Sequence, residues 1–292
     1  MEGMTAFTAE DAQALLDERD LIAIGVRGDD ERRRRHGVKT TFLRVFEVHG
    51  DAVPSALPST ARAGEIRLTG RPRSLEDAVA AVSAARTLAD ASGVPLTAYS
   101  LTDLLDATFG SRDGFRTLLR ALRDAGLESV ADAPVDASDD IIGLVRDARD
   151  EGLLVPRLTV HGAPEGPSSS GERIAHVLRA QQIQREVGGV RVFAPLPRVS
   201  SVAQPSTGYD DVKMVAMGRL LADAIDSIQV DWALYGPKLA QVALTMGADD
   251  VDGVSPLEGD LGRRRSPVEE IKGNISAAGL EPVERDAGWR LT

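Results

Sequence analysis

The residues able to do chemistry in this sequence are mostly carboxylates, and many are paired: Asp139–Asp140, Asp210–Asp211 and Asp249–Asp250, with Asp252 close behind. Paired carboxylates suit acid–base work, or the binding of a magnesium ion or a sugar hydroxyl. A carboxylate in a first helical turn also complements the helix dipole. Asp139–Asp140 and Asp210–Asp211 stand where helices begin, which favours that plainer role. Asp249, Asp250 and Asp252 flank a strand end, where both readings stay open. His161 follows another strand, with Arg157 nearby, as a general base or a surface loop residue. Gly70-Arg-Pro-Arg73 brings two guanidiniums to the start of a helix, a weak signal for an anion site. Gly236-Pro-Lys238 opens a further helix, where Lys238 would meet a carboxylate or phosphate.

What is missing narrows the chemistry more sharply. The 292-residue chain has no cysteine. Disulfides, zinc–thiolate sites, a thiol nucleophile and a cysteine-held iron–sulfur cluster are excluded. The four histidines (His36, His49, His161 and His176) match no zinc spacing. There is no Walker loop, dinucleotide-binding glycine fingerprint or Gly-x-Ser-x-Gly elbow. No metal or cofactor is therefore expected.

Charge excludes a further class. Lys and Arg total 34 against 45 Asp and Glu, a net charge of −11. A negative field disfavours nucleic acid, and the short basic runs Arg32–Arg35 and Arg263–Arg265 read as helix faces or local phosphate contacts. Aromatic residues are only 4% of the chain, too few for base-stacking platforms. No apolar run approaches the roughly 20 residues of a spanning helix. The start is acidic and helical in pattern, unlike a signal peptide. These features point to a cytoplasmic protein without a membrane partner.

These residues must be positioned by alternating elements. Thr8–Asp17 reads as a helix capped by Thr8, and Arg32–Gly37 as a basic turn. Strands are predicted at Thr40–Val48, Glu65–Gly70, Pro95–Leu101, Glu128–Ala133, Leu153–Val160, Val190–Pro195, Ile228–Trp232 and Asp249–Val254. Helices are predicted at Ser74–Ser92, Thr102–Phe109, Arg112–Ala125, Ser138–Glu151, Glu172–Val187, Thr207–Asp226, Gly236–Met246 and Ser266–Ala278, the last with Pro267 in its first turn. Strand–helix alternation of this length predicts a (β/α)8 barrel, a fold of about 250 residues. Residues 1–292 form one such domain, with an N-terminal helical extension over 1–39. The first unit is degenerate, because Pro-rich His49–Gly64 replaces its helix. In such barrels sites gather at the C-terminal strand ends.

Several segments carry a resemblance. Thr207-Gly-Tyr-Asp-Asp-Val-Lys, Met217-Gly-Arg-Leu-Leu, Trp232 with Gly236-Pro-Lys-Leu-Ala-Gln-Val-Ala-Leu, Gly247-Ala-Asp-Asp-Val-Asp-Gly and Pro282-Val-Glu-Arg-Asp are similar to the aminofutalosine synthase and dehypoxanthine futalosine cyclase branch of the radical S-adenosylmethionine (SAM) family. Val187-Gly-Gly-Val-Arg-Val-Phe-Ala-Pro-Leu, Leu119-Arg-Ala-Leu-Arg-Asp-Ala-Gly-Leu-Glu-Ser and Arg33-Arg-Arg-His-Gly extend it upstream. The resemblance implies the same barrel, a place in menaquinone biosynthesis, and a substrate end near His161, Asp210, Asp211, Trp232, Lys238, Asp249, Asp250 and Asp252.

The sequence departs from that family where radical chemistry happens. The family's Cys-x3-Cys-x2-Cys loop corresponds to the cysteine-free His49–Gly64. Its Gly-Gly turn is reduced to Thr69–Gly70, and its Gly-rich turn after the fourth strand becomes Ala131-Asp-Ala-Pro. Its Gly-His-x-Glu appears disordered in sequence as His161-Gly-Ala-Pro-Glu165. The resemblance thus implies a homologue without cluster or SAM, binding a futalosine-like nucleoside or pairing with a catalytic relative. A redeployed acid–base or metal enzyme acting on a futalosine-like nucleoside, with Asp249, Asp250, Asp252, His161 and Lys238 as candidates, is the alternative. A third possibility is similarity of packing alone, with Gly236, Gly247 and Gly253 in turns and Leu239, Val242 and Leu244 on a buried helix face.

Overall fold

The computed structural model describes residues 9–163, 166, 168–199, 208–257 and 268–292. The predicted Thr8 cap, Pro164, Glu165, Thr207, the Arg263–Arg265 run and the Ser266–Pro267 helix start lie outside the described residues. Eight parallel strands close a barrel: β1 (Lys39–His49), β2 (Glu65–Thr69), β3 (Leu96–Ser100), β4 (Ser129–Pro134), β5 (Arg157–Val160), β6 (Val192–Pro197), β7 (Ser227–Asp231) and β8 (Asp250–Val254). β8 pairs with β1, and β1 pairs with β2, which shuts the ring. The fold is the predicted (β/α)8 barrel.

Two helices precede the barrel: α1 (Ala9–Asp17) and α2 (Leu21–His36). The predicted basic turn at Arg32–Gly37 is instead the end of α2. The arginines stabilise that helix because acidic residues sit three or four positions away. Asp29 accepts from Arg32 Nε at 2.9 Å and Arg33 Nε at 2.6 Å, and Glu31 accepts from Arg34 and Arg35. Arg35 also donates to the carbonyls of Asp223 and Ile225, tying α2 to the barrel wall. Gly28 lets α2 approach closely, since a Cβ there would stand 2.4 Å from the Met246 carbonyl.

The barrel helices are α3 (Leu75–Ser92), α4 (Leu101–Ala107), α5 (Arg112–Asp124), α6 (Ile141–Asp150), α7 (Ser170–Glu186), α8 (Gly208–Leu221), α9 (Trp232–Leu244) and α10 (Val268–Ala277). Side-chain caps start many of them: Ser74 accepts from Asp77 N, Ser111 from Gly114 N, and Ser169 with Glu172 forms a capping box. α8 stops at Leu221, short of the predicted Asp226. Leu244 is buried and Leu239 packs against the core, but Val242 is half exposed, so the predicted buried face of α9 is narrower. No helix forms over residues 50–64, as the sequence indicates. Val53 and Leu57 of that connection lean on the core, and Ala61 forms a bridge with Leu257.

One strand is additional. β9 (Glu281–Glu284) pairs in parallel with Lys39–Phe42 of β1. Among the described residues, no helix is long and apolar enough to cross a membrane.

Candidate functional site

Strand alternation decides where the β8 carboxylates go. Asp250 and Asp252 share one face, and Asp249 takes the other. Asp252 is fully buried between arginines of two other strands. Arg67 of β2 reaches it at 2.9 and 3.0 Å, and Arg157 of β5 donates to the same carboxylate. Arg67 also holds Glu65 at 2.6 Å, and Thr97 of β3 donates to Glu65 at 2.5 Å. Arg157 completes its bonding on the Ala131 carbonyl at 3.1 Å. Burial pushes the Asp252 carboxyl up, but Arg67 and Arg157 together outweigh burial and hold it well below the usual carboxylate range.

Asp250 is saturated in the same way. Arg285, just past β9, grips it with two bonds of 2.7 Å, and Gln229 adds another at 2.7 Å. Thr41 donates as well. Trp289 stacks on the Arg285 guanidinium at 3.9 Å. Asp249 faces the helix layer, where Arg219 pairs with it and the Ile228 amide donates at 2.8 Å. His36 Nε2 lies 3.4 Å from it. Asp249, Asp250 and Asp252 therefore do not form one cluster.

The other sequence-selected residues are spread further. Asp210 lies in the first turn of α8, 3.6 Å from Arg173, and Asp211 beside it is buried. Both have partners. Lys238 is exposed on α9. Trp232, the first residue of α9, is fully buried, and its Nε1 has no hydrogen-bond partner among the described residues. His161 is exposed at the end of β5, and Asp136 fixes its loop by accepting from the His161 and Gly162 amides at 2.7 and 2.8 Å.

Further strand-end residues, outside the candidate set, complete the C-terminal end. Asp132 is buried on β4; its Oδ2 lies 3.9 Å from Arg157, and its Oδ1 has no hydrogen-bond partner among the described residues. Thr159 Oγ1 on neighbouring β5 is also buried and unpartnered. Unpaired buried polar atoms are unusual in native folds and ask for a reason. Asp103 stands in the first turn of α4. Burial raises its carboxyl, Arg71 opposes this, and the charges of Asp132 and Asp106 add to it. Burial also raises Asp231, with Asp252 adding to it and Arg198 opposing at 3.8 Å. The visible signal was Asp132 itself, a carboxylate inside the apolar strand Ser129–Pro134.

This arrangement offers hydrogen-bond acceptors, a hydroxyl and protonatable carboxyls at the C-terminal strand ends. It suits a polar ligand. Below it, paired charges fill the barrel.

Residues 193–291 match the family model described as the CofH/MqnC C-terminal region. The chain is 29% identical to aminodeoxyfutalosine synthase of Streptomyces coelicolor over 68% of its own length and 60% of the relative's. It is 35% identical to 5-amino-6-(D-ribitylamino)uracil–L-tyrosine 4-hydroxyphenyl transferase 1 of Methanosarcina barkeri, over 49% of this chain and 42% of that one. These alignments span less than two thirds of either relative. The crystal structure of methylornithine synthase shares the fold, with a TM-score of 0.63 at 13% identity over 95% of this chain and 94% of that one.

A [4Fe–4S] cluster does not fit this chain. Such clusters are held by cysteine thiolates, and the connection after β1 offers only His49 and Asp51 as metal-binding types. Among the described residues, no three His, Asp or Glu side chains converge as metal ligands. Radical SAM catalysis of the usual kind is therefore absent from its repertoire. The chain is a cysteine-free homologue of the aminodeoxyfutalosine synthase group of the radical SAM family.

Proposed function

We propose that this protein is a non-catalytic, ligand-binding member of its group, taking a futalosine-like nucleoside at the C-terminal ends of β3 to β5. The observation that carries this reading is the buried, unpartnered pair Asp132 Oδ1 and Thr159 Oγ1. A nucleoside supplies what they lack, because ribose hydroxyls and base amines donate to a carboxylate and exchange bonds with a hydroxyl. The sequence-selected Asp210, Asp211, Trp232, Lys238 and His161 belong to this proposal as flanking contacts. Asp249, Asp250 and Asp252 enter it as the scaffold that fixes the barrel beneath.

A thermal-shift series tests the reading. Futalosine, aminodeoxyfutalosine, adenosine and SAM would each be added far above a plausible Kd. A ligand held only by the native state adds about 2.7 kcal/mol at 100 times Kd. The expected result is a raised Tm with a futalosine-type nucleoside and no shift with SAM. A shift with SAM, or with none of these ligands, contradicts the reading. The latter result would favour an accessory role in complex with a catalytic relative.

The raised carboxyls of Asp103 and Asp231 favour a second reading, acid–base chemistry on the same class of nucleoside. Turnover of the bound nucleoside, followed by chromatography, separates the two. Unchanged nucleoside after prolonged incubation supports binding alone.

A further inference from the structure

The missing first helix leaves space. A cavity of about 580 Å³ opens between the connection after β1 and the start of α3. His49, Arg71, Arg73, Asp77, Ala81 and Tyr99 line it. None of the paired residues inside the barrel does so. It contains the Gly70-Arg-Pro-Arg73 motif that the proposed nucleoside site leaves unused. Gly70 has φ +97°, and a Cβ there would strike the His49 ring at 2.6 Å, so this wall requires glycine.

Tyr99 is the second, independent observation. Its backbone is held at φ 54°, a costly conformation for a bulky residue. Only 2% of the residue is exposed, and Tyr99 forms part of the cavity wall. The hydroxyl borders the cavity, since a Cβ on Gly50 would lie 3.2 Å from Tyr99 Oη. Burial and the charges of Asp51 and Asp77 push its pKa up to about 12, so it remains a donor at neutral pH.

The two arginines are occupied only weakly. Arg71 pairs with Asp106 and, at 3.7 Å, with Asp103. Arg73 meets Asp77 at 3.0 Å and Asp51 at 3.7 Å. Arg71 and Arg73 are 59% and 75% exposed, and such surface pairs exchange at little cost. Their carboxylate partners can return to water when another anion arrives.

We propose that this cavity is a second ligand site, which takes a small oxyanion, a carboxylate or a phosphate, through Arg71, Arg73 and the Tyr99 hydroxyl. The guanidiniums supply charge and paired N–H donors. Tyr99, held almost wholly inside the protein, supplies a further donor at the inner wall of the cavity. The methyl groups of Ala80, Ala81 and Ala84 form a floor for a short apolar body.

Alanine-methyl NMR of the full chain gives a local readout that is independent of the nucleoside site. Inorganic phosphate and benzoate would be titrated separately. Saturable shifts of the Ala81 and Ala84 methyls with either probe are expected, and the probe that binds more tightly identifies the source of the oxyanion. Tyr99→Phe removes only the hydroxyl and is expected to raise Kd about tenfold or more, the usual scale for a hydrogen bond to a charged group. Arg71→Gln with Arg73→Gln is expected to abolish the saturable shifts. No saturable shift with either probe overturns the proposal, as do unchanged affinities in the Tyr99→Phe and double-glutamine variants. Shifts confined to Ala133 and Ala194 overturn it too.

Discussion

Asp252→Ala is expected to destabilise the fold by about 3–5 kcal/mol, the usual cost of removing one partner from a buried ion pair. Arg67 and Arg157 would then be left inside the barrel with their shared carboxylate gone. Arg67 would keep Glu65 at 2.6 Å, whereas Arg157 would keep the Ala131 carbonyl and the more distant Asp132. Urea unfolding at neutral pH measures the loss. A change below about 1 kcal/mol would mean that the charges are solvated, as in a surface pair. The pH dependence follows from the depressed Asp252 carboxyl. Its stabilisation is fully present above the unfolded-state pKa of about 3.9 and is lost as pH falls through the lower folded-state value. The wild type should therefore lose part of its stability below about pH 4, and Asp252→Asn should lose less over the same range.

Arg285→Ala should cost a similar amount, about 3–5 kcal/mol, because it strands Asp250 at full burial. Gln229 and Thr41 would still donate to Asp250, but neither carries charge. Trp289→Ala removes only the stacked ring and should cost about 0.5–2 kcal/mol. Both are read from denaturant midpoints. Equal effects from the two substitutions would show that the tail acts by covering apolar surface, and that the charge it carries is incidental. The difference matters for function, because this segment anchors the barrel beneath the proposed ligand mouth.

Much of this architecture was legible because local signals agreed with one another. Ser74 stands at a helix start, and Gly93 and Gly126 follow helix ends. Glu65-Ile-Arg-Leu-Thr-Gly reads as a strand, and β2 forms there. The end of α2 is hidden because four consecutive arginines read as a turn, although Asp29 and Glu31 sit at helical spacing from them. β9 was missed because Glu281-Pro-Val-Glu is short and contains proline, which a strand pairing only with β1 tolerates.

The candidate site was less legible, and the reason is distance along the chain. Asp252 lies 185 positions from Arg67 and 95 from Arg157. Nothing near Asp252 in sequence announces those partners. Asp249, Asp250 and Asp252 looked like one cluster because they are neighbours in sequence, yet a strand sends neighbours to opposite faces. Asp132 stands at a strand end in the sequence, but nothing near it there gives it a role. Its unpartnered oxygen became visible once β4 and β5 were placed side by side.

The loss of radical chemistry is tested by anaerobic reconstitution of the full chain with iron and sulfide, followed by incubation with SAM and a strong reductant. Bound iron, the cluster absorption band and 5′-deoxyadenosine would be measured together. Iron far below four per chain, no cluster band and no 5′-deoxyadenosine are expected, because no thiolate is present to hold a cluster. A stoichiometric cluster that cleaves SAM would contradict that loss.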